Sequence, residues 1–190
     1  MRALSLIIAL AILGLAAAHA QKAPPLVLEP DRYSYTFGVA NGWDFSFDQA
    51  AEIGVRLVFF PEGGSFHTSN TIVYVNEICK SSCGGSLESA ISKSIRDARS
   101  GNPNLRVETA PSLKTKGGKT VPVRILSGAH DVRQAREALA FIDTPDVVVL
   151  PVLTTKDPKS WEADFAAFRR IVEGFKYFDC NSPELAVKCR

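Results

Sequence analysis

Beyond the first twenty residues the chain holds two histidines, His67 and His130, and imidazole is the side chain best suited to bind a metal or move a proton near neutral pH. A zinc site built from both needs a carboxylate or thiolate to close it, and Glu62 and Asp131 are the nearest in sequence. Neither histidine stands in His-x-x-x-His or comparable ligand spacing, so loop histidines that hydrogen-bond or face solvent are the competing reading. Cys79 and Cys83 bring two sulfurs close together, and as thiolates they could hold a soft metal or exchange electrons. Their Cys-x-x-x-Cys spacing is not that of thiol oxidoreductases, and no His or Met lies close in sequence to complete a copper sphere.

A hydrolase needs an activated nucleophile, and Ser65, Ser86 and Ser127 each lie beside glycine, where a turn can expose a hydroxyl next to backbone donors. Gly-x-Ser-x-Gly is absent, and turns and a helix cap explain these serines for backbone reasons. Pro61-Glu62-Gly63-Gly64-Ser65 lacks the Gly-Lys-Ser/Thr of a phosphate loop. Lys114, Lys116 and Lys119 could meet an anionic group, although lysines at a hairpin tip also guard a sheet edge against pairing.

Six aromatics, Trp43, Phe45, Phe47, Phe59, Phe60 and Phe66, fall close together in the chain. Facing outward they form a groove for a small apolar ligand or a partner peptide; facing inward they are core. Adjacent Phe59 and Phe60 must point to opposite sides of a strand, so one is a contact residue unless helices cover both faces. The expected ligand or partner surface is therefore Trp43, Phe60, Phe66 and His67.

The compartment follows from the amino terminus. Arg2, the apolar run Leu4 to Ala18 and the small-x-small triplet Ala18-His19-Ala20 read as a secretory signal peptide, with the mature chain starting at Gln21. The full chain has 190 residues, 22 basic and 20 acidic, and Arg2 is the one charge in the signal, so the mature formal charge is +1. Such a balance carries no electrostatic footprint for nucleic acid, and no other apolar run is long enough to span a bilayer. Four cysteines in an exported chain favour two disulfides. The local pairs Cys79–Cys83 and Cys180–Cys189 are expected, each bracketing loop-like sequence.

The elements that must position these residues begin after a Pro-rich extended leader, 21–31, with one domain expected over 32–190 and a disulfide-stapled tail. Tyr33, Tyr35 and Phe37 alternate as a strand does, as do Trp43, Phe45 and Phe47; Val55 to Phe60 and Thr71 to Ile78 read as further strands. Ser86 caps a helix with Leu87, Ile91, Ile95 and Ala98 on one face, ending at Gly101. Strands near Leu105 to Leu113 and Thr120 to Ser127 flank a Gly117-Gly118 turn, and Ala138 to Asp143 with Val147 to Leu153 form a second hairpin, in which Pro151 suggests an edge or a bulge. A last helix starts with Asp157 as cap and Pro158 at its first position, packs Trp161, Phe165, Phe168 and Val172, and stops at Gly174. The fold class is α+β, an antiparallel sheet covered by helices.

Three stretches carry a family likeness: Asn41-Gly42-Trp43-Asp44-Phe45; the strand, helix and hairpin run from Thr71 to Ser127; and the closing Ala140-Phe141-Ile142-Asp143, Val147 to Leu150 and Phe165 to Phe175. In these the chain resembles the PsbP/Mog1-like group, whose bacterial members include small exported proteins of the DcrB type. That resemblance implies an α/β/α sandwich around an antiparallel sheet, and a non-catalytic accessory or binding role; it brings no catalytic residues and no cofactor. The four cysteines and the loop Gly63-Gly64-Ser65-Phe66-His67 depart from the group's pattern.

The expected function is accordingly an exported, periplasmic or secreted, binding or accessory protein of the cell envelope, its partner an envelope protein or a small apolar ligand. The alternative is a small secreted hydrolase or metal-binding protein using His67 and His130 or Cys79 and Cys83.

Overall fold

β-branched and aromatic side chains in period-2 alternation dominate the chain from Tyr33 to Ile78 and again from Thr120 to Leu153, and these stretches form its sheets. The computed structural model describes residues 24–29, 32–80, 83–128 and 136–180. The proposed signal peptide, His130, Asp131 and Cys189 lie outside the described residues.

The main sheet contains β3 (Trp43–Ser46), β4 (Leu57–Pro61), β5 (Thr71–Cys79), β6 (Arg106–Lys114), β7 (Thr120–Ser127), β8 (Arg136–Ala140), β9 (Ile142–Asp143) and β10 (Val147–Thr155). Its order is β3-β4-β5-β10-β8-β7-β6, with β9 also on β10, and every pairing is antiparallel. A second antiparallel sheet joins β1 (Leu26–Glu29), β2 (Tyr33–Thr36) and β11 (Lys176–Asp179) in the order β1-β2-β11. Part of the expected leader is thus a paired strand, and ordered structure begins before residue 32. The helices are α1 (Asp48–Glu52), α2 (Leu87–Gly101) and α3 (Trp161–Glu173). The chain is α+β, as its alternation of strand and helix signals implies.

Both faces of the main sheet are covered, which explains the unbroken apolar run of β10. Val147, Val149 and Leu153 share one core with Val73 and Val75, helix α3 and the aromatics Tyr35, Phe37 and Phe175 of the small sheet and its margins. Val148, Leu150 and Val152 share the other with Ala90 and the partly buried Leu87, Ile91 and Ala98 of α2. A third cluster, Ala50, Val58 and Phe60, lies under α1. Strands buried on both faces read as continuous hydrophobic runs.

Pro151 lies in the middle of the sheet, opposite Val75 of β5, and not at an edge. On the other side of β10 the ladder is interrupted there: Leu139 pairs with Val152 and Ile142 with Val149, while Phe141 between them donates its N–H to the Pro122 carbonyl at 3.0 Å. A residue without an N–H is tolerated beside such a gap.

Helix α2 begins as expected, with Ser86 accepting from the Ser89 backbone in a reciprocal capping box. Helix α3 begins later than Asp157 predicts. Its N-cap is Ser160, and Asp157 instead heads the preceding turn, accepting from the Lys159 N–H at 2.9 Å. Local Asp side chains favour such turns. The first turn of α3 is moored by Asp164, which accepts from the Thr71 hydroxyl at 2.7 Å and the Ser160 hydroxyl at 2.6 Å.

Gly174 ends α3, but with φ −77° it is no left-handed cap. Its role is close approach: a Cβ there would come within 2.4 Å of the Gly38 backbone, and Gly38 donates its N–H to the Ile171 carbonyl at 3.1 Å. Gly174→Ala is therefore expected to destabilise the fold by about 1–3 kcal/mol, since backbone must move to admit the methyl group. An unchanged urea midpoint would show that the contact yields freely.

Candidate functional site

The last residues of β5 outrun their neighbour. β4 pairs with β5 only from Leu57↔Val75 to Phe59↔Val73, and the Arg56 N–H closes that ladder on the Val75 carbonyl at 2.9 Å. β5 continues to Cys79, paired on its other side with β10. Among the described residues, 76–78 have a strand partner on one side only. Backbone groups alternate sides along a strand, so the N–H and C=O of Glu77 point the same way as the Val75 carbonyl, away from β10.

On one face of this free edge the Glu77 carboxylate is the centre of a polar cluster. It accepts from the Tyr35 hydroxyl at 2.8 Å, the Tyr33 hydroxyl at 3.2 Å and Arg56 Nε at 2.8 Å, with Arg56 Nη2 at 2.7 Å. Asp146 lies nearby, accepting from the Tyr177 hydroxyl at 2.8 Å, with Arg32 Nη2 3.9 Å away. Tyr33 and Tyr35 reach Glu77 together because residues two apart on β2 share a face. A cavity of about 400 Å³ opens here, lined by Arg32, Tyr33, Val55, Arg56, Glu77 and Asp146. Burial, then the charge of Glu77, holds the Tyr35 phenol far above its ordinary range; burial and the bond to Asp146 raise Tyr177. Both phenols therefore stay protonated as donors at all ordinary pH. The acids lie deeper than the bases: the side chains of Glu77 and Asp146 are 9% and 30% exposed, those of Arg56 and Arg32 46% and 47%.

On the opposite face a groove of about 650 Å³ runs between β5 and α2. Ile78, Ala90 and Leu150 give it an apolar floor, and Lys93, Arg96 and Asp97 stand at its rim. Cys79 and Cys83 close one end, joined as a disulfide with Cα atoms 5.8 Å apart. Lys80 donates from Nζ to Asp143 at 2.6 Å and to the Thr144 carbonyl at 3.0 Å, tying the end of β5 to the turn between β9 and β10. Bonded sulfurs offer no thiolate to a metal. Cys180 is also disulfide-bonded, and its expected partner Cys189 lies outside the described residues.

The aromatic surface expected from sequence is not assembled. Trp43 and Phe60 are buried, at 8% and 6% exposure, Trp43 in the main core and Phe60 under α1. Because α1 covers that face of β4, neither Phe59 nor Phe60 is a contact residue. Phe66 is half-buried against the same small cluster. His67 is exposed, its Nε2 2.9 Å from Glu52 Oε2. This histidine–carboxylate contact has both partners open to solvent, at 61% and 56%, unlike the enclosed dyad that acid–base chemistry favours. Ser65 hydrogen-bonds Thr68, Ser86 caps α2 and Ser127 ends β7. No group of three or more His, Cys, Asp and Glu side chains suited to a metal occurs among the described residues. Nor is any helix among them long and apolar enough to cross a membrane.

The cluster around Glu77 has a signal in the sequence, though not a motif. Arg56 is the lone charge against the apolar run Val55 to Phe60, and Glu77 is the lone carboxylate in a β-branched strand. A charge inside an otherwise apolar strand needs a partner.

Glu137 in β8 is such a charge on the α2 side of the sheet, where among the described residues the Thr154 hydroxyl donates to it at 3.0 Å. Burial raises its carboxyl pKa from the ordinary 4.5, against a lowering by the Thr154 bond. A carboxyl raised on folding binds more protons folded than unfolded, so its contribution to stability is greatest at low pH and falls as pH rises from the unfolded value through the folded one. Glu137→Gln should therefore gain on the wild type as pH climbs above 4.5 and be the more stable protein at pH 7. Paired urea titrations across that range check this, and a wild type more stable at pH 7 would refute it.

No family model matches the chain, and no curated protein sequence matches it. Among solved structures, it is similar to the solution structure of cyanobacterial PsbP (CyanoP) from Synechocystis sp. PCC 6803, at 13% identity, covering 87% of this chain and 99% of that one, with a TM-score of 0.45.

Proposed function

We propose that this chain is an exported accessory protein that acts by binding a partner at the end of β5, without chemistry of its own. The observation that carries this reading is the free strand edge at 76–78, set between two cavities of contrasting polarity. The polar groups lining the first cavity are engaged with one another, the arrangement of a recognition surface held in shape. Export is supported by the signal-like residues 1–20 and by the solvent-exposed Cys79–Cys83 disulfide, a bond that persists in oxidising compartments. The family resemblance of the sequence implies the same accessory role.

Two measurements test this. Intact mass of the exported protein should show a chain beginning at Gln21, and a cytoplasmic product retaining residues 1–20 would overturn the export. Immobilised protein should retain a partner from an envelope fraction, with retention reduced by the exposed substitutions Arg32→Ala and Arg96→Ala. A stoichiometric metal in protein purified without added ions, or retention indifferent to both substitutions, would overturn binding at this site.

A further inference from the structure

We infer that the partner docks as an extended peptide, adding a strand to the β5 edge at Glu77 and alternating acidic and apolar side chains along its length. This rests on the binding role proposed above and names the chemistry of its occupant.

Three features coincide at one place. First, the Glu77 N–H and C=O point out of the sheet toward the side where β4 has ended, and Glu77 itself lines the 400 Å³ cavity that opens there. An added strand would complete the ladder that β4 leaves unfinished. Second, the two cavities meet at this edge, Asn76, Glu77 and Cys79 bordering both: Arg32, Tyr33, Arg56 and Asp146 line only the polar one, and Ile78, Ala90 and Leu150 only the apolar one toward α2. An extended peptide sends successive side chains to opposite faces, so consecutive residues would enter the two cavities in turn. Third, their chemistries differ in a way that sets the peptide's pattern. In the polar cavity the side chains of Arg32 and Arg56 are about half exposed while Glu77 is covered and Asp146 is 30% exposed, so the more accessible charge is positive and an acidic side chain is favoured there. Ile78, Ala90 and Leu150 favour an aliphatic one on the other face.

In this arrangement a peptide glutamate stands opposite Glu77, exchanges two backbone hydrogen bonds with it and turns its carboxylate to the arginines. The residues before and after it lie toward α2.

The probe is the capped pentapeptide acetyl-Glu-Val-Glu-Val-Glu-amide, titrated into the ¹⁵N-labelled full chain. Amide shifts should concentrate at 76–79, with the Glu77 amide protected from hydrogen exchange. N-methylation of the central glutamate removes a ladder hydrogen bond and should weaken binding about tenfold. The lysine counterpart acetyl-Lys-Val-Lys-Val-Lys-amide should bind at least about tenfold more weakly, since its charges meet the arginines. Arg32→Ala, an exposed change that removes none of the groups bonded to Glu77, should narrow the gap between the acidic and basic peptides. Equal affinity for the N-methylated peptide, equal affinity for the lysine peptide, or shifts confined to the α2 groove without protection of Glu77 would each overturn strand addition. Partner retention from the envelope fraction that the acidic peptide fails to compete would refute this inference alone, whereas loss of retention altogether would refute the binding role.

Discussion

Replacing Glu77 by alanine is expected to lower the free energy of unfolding by about 3 kcal/mol, measured as a shift in the urea midpoint at unchanged m-value. The loss is expected because the Glu77 carboxylate is the acceptor for Tyr35, whose side chain is fully buried, and also for Tyr33 and Arg56. A buried phenol deprived of its acceptor costs its desolvation, and a charge-assisted hydrogen bond is worth more than a neutral one. The stranded Arg56 adds less than a fully buried cation would, since its side chain is 46% exposed and regains water. Glu77→Gln keeps one acceptor oxygen and should cost roughly half as much. An alanine variant within about 0.5 kcal/mol of the wild type would mean that the cluster is a surface decoration and does not brace the edge that the proposed partner uses.

Phe168→Ala is expected to cost about 3–5 kcal/mol, the largest single effect in the chain. Phe168 has no exposed surface and packs α3 onto the face of the sheet that also receives Tyr35, Phe37 and Phe175. The ring leaves a cavity among side chains fixed by three separate elements, and such a site collapses poorly. Phe165 makes the contrast. Sequence periodicity places it on the same helix face, yet it is only half-buried, stacked on Trp161 and Phe168 with ring centroids 5.4 and 6.0 Å away. Phe165→Ala should therefore cost clearly less than Phe168→Ala, and the reverse order in thermal or urea denaturation would show the helix rotated so that Phe165 faces the core.

Strand alternation from Tyr33 to Phe37 and from Trp43 to Phe47, the Ser86 cap of α2 and the apolar stripe of α3 were all legible, because each depends on residues a few positions apart. Structure and local signal part where a long-range contact overrides the neighbourhood. Pro151 signals an edge or a local irregularity, and the structure has the second: it sits on the central strand where the β8–β9 interruption falls opposite it. Trp43 and Phe60 read as a surface, yet α1 and the main core cover them. Gly174 reads as a helix stop, and its actual constraint is the backbone of Gly38, far away in sequence.

The α+β class and the positions of the main strands and helices are written in neighbouring residues through periodicity and capping, and the short loop between Cys79 and Cys83 favours their pairing. Which strands adjoin depends on contacts between distant segments. β5 pairs with β10, a strand some seventy residues later, while β4 stops at Val75 and leaves Glu77 at an edge. The same assembly brings Tyr33 and Tyr35 from the small sheet to Glu77, 44 and 42 residues away, and places α2 on the other side to make the groove. The candidate site is made of contacts between distant segments, and no local pattern can announce a surface that exists only where one strand outlasts its neighbour.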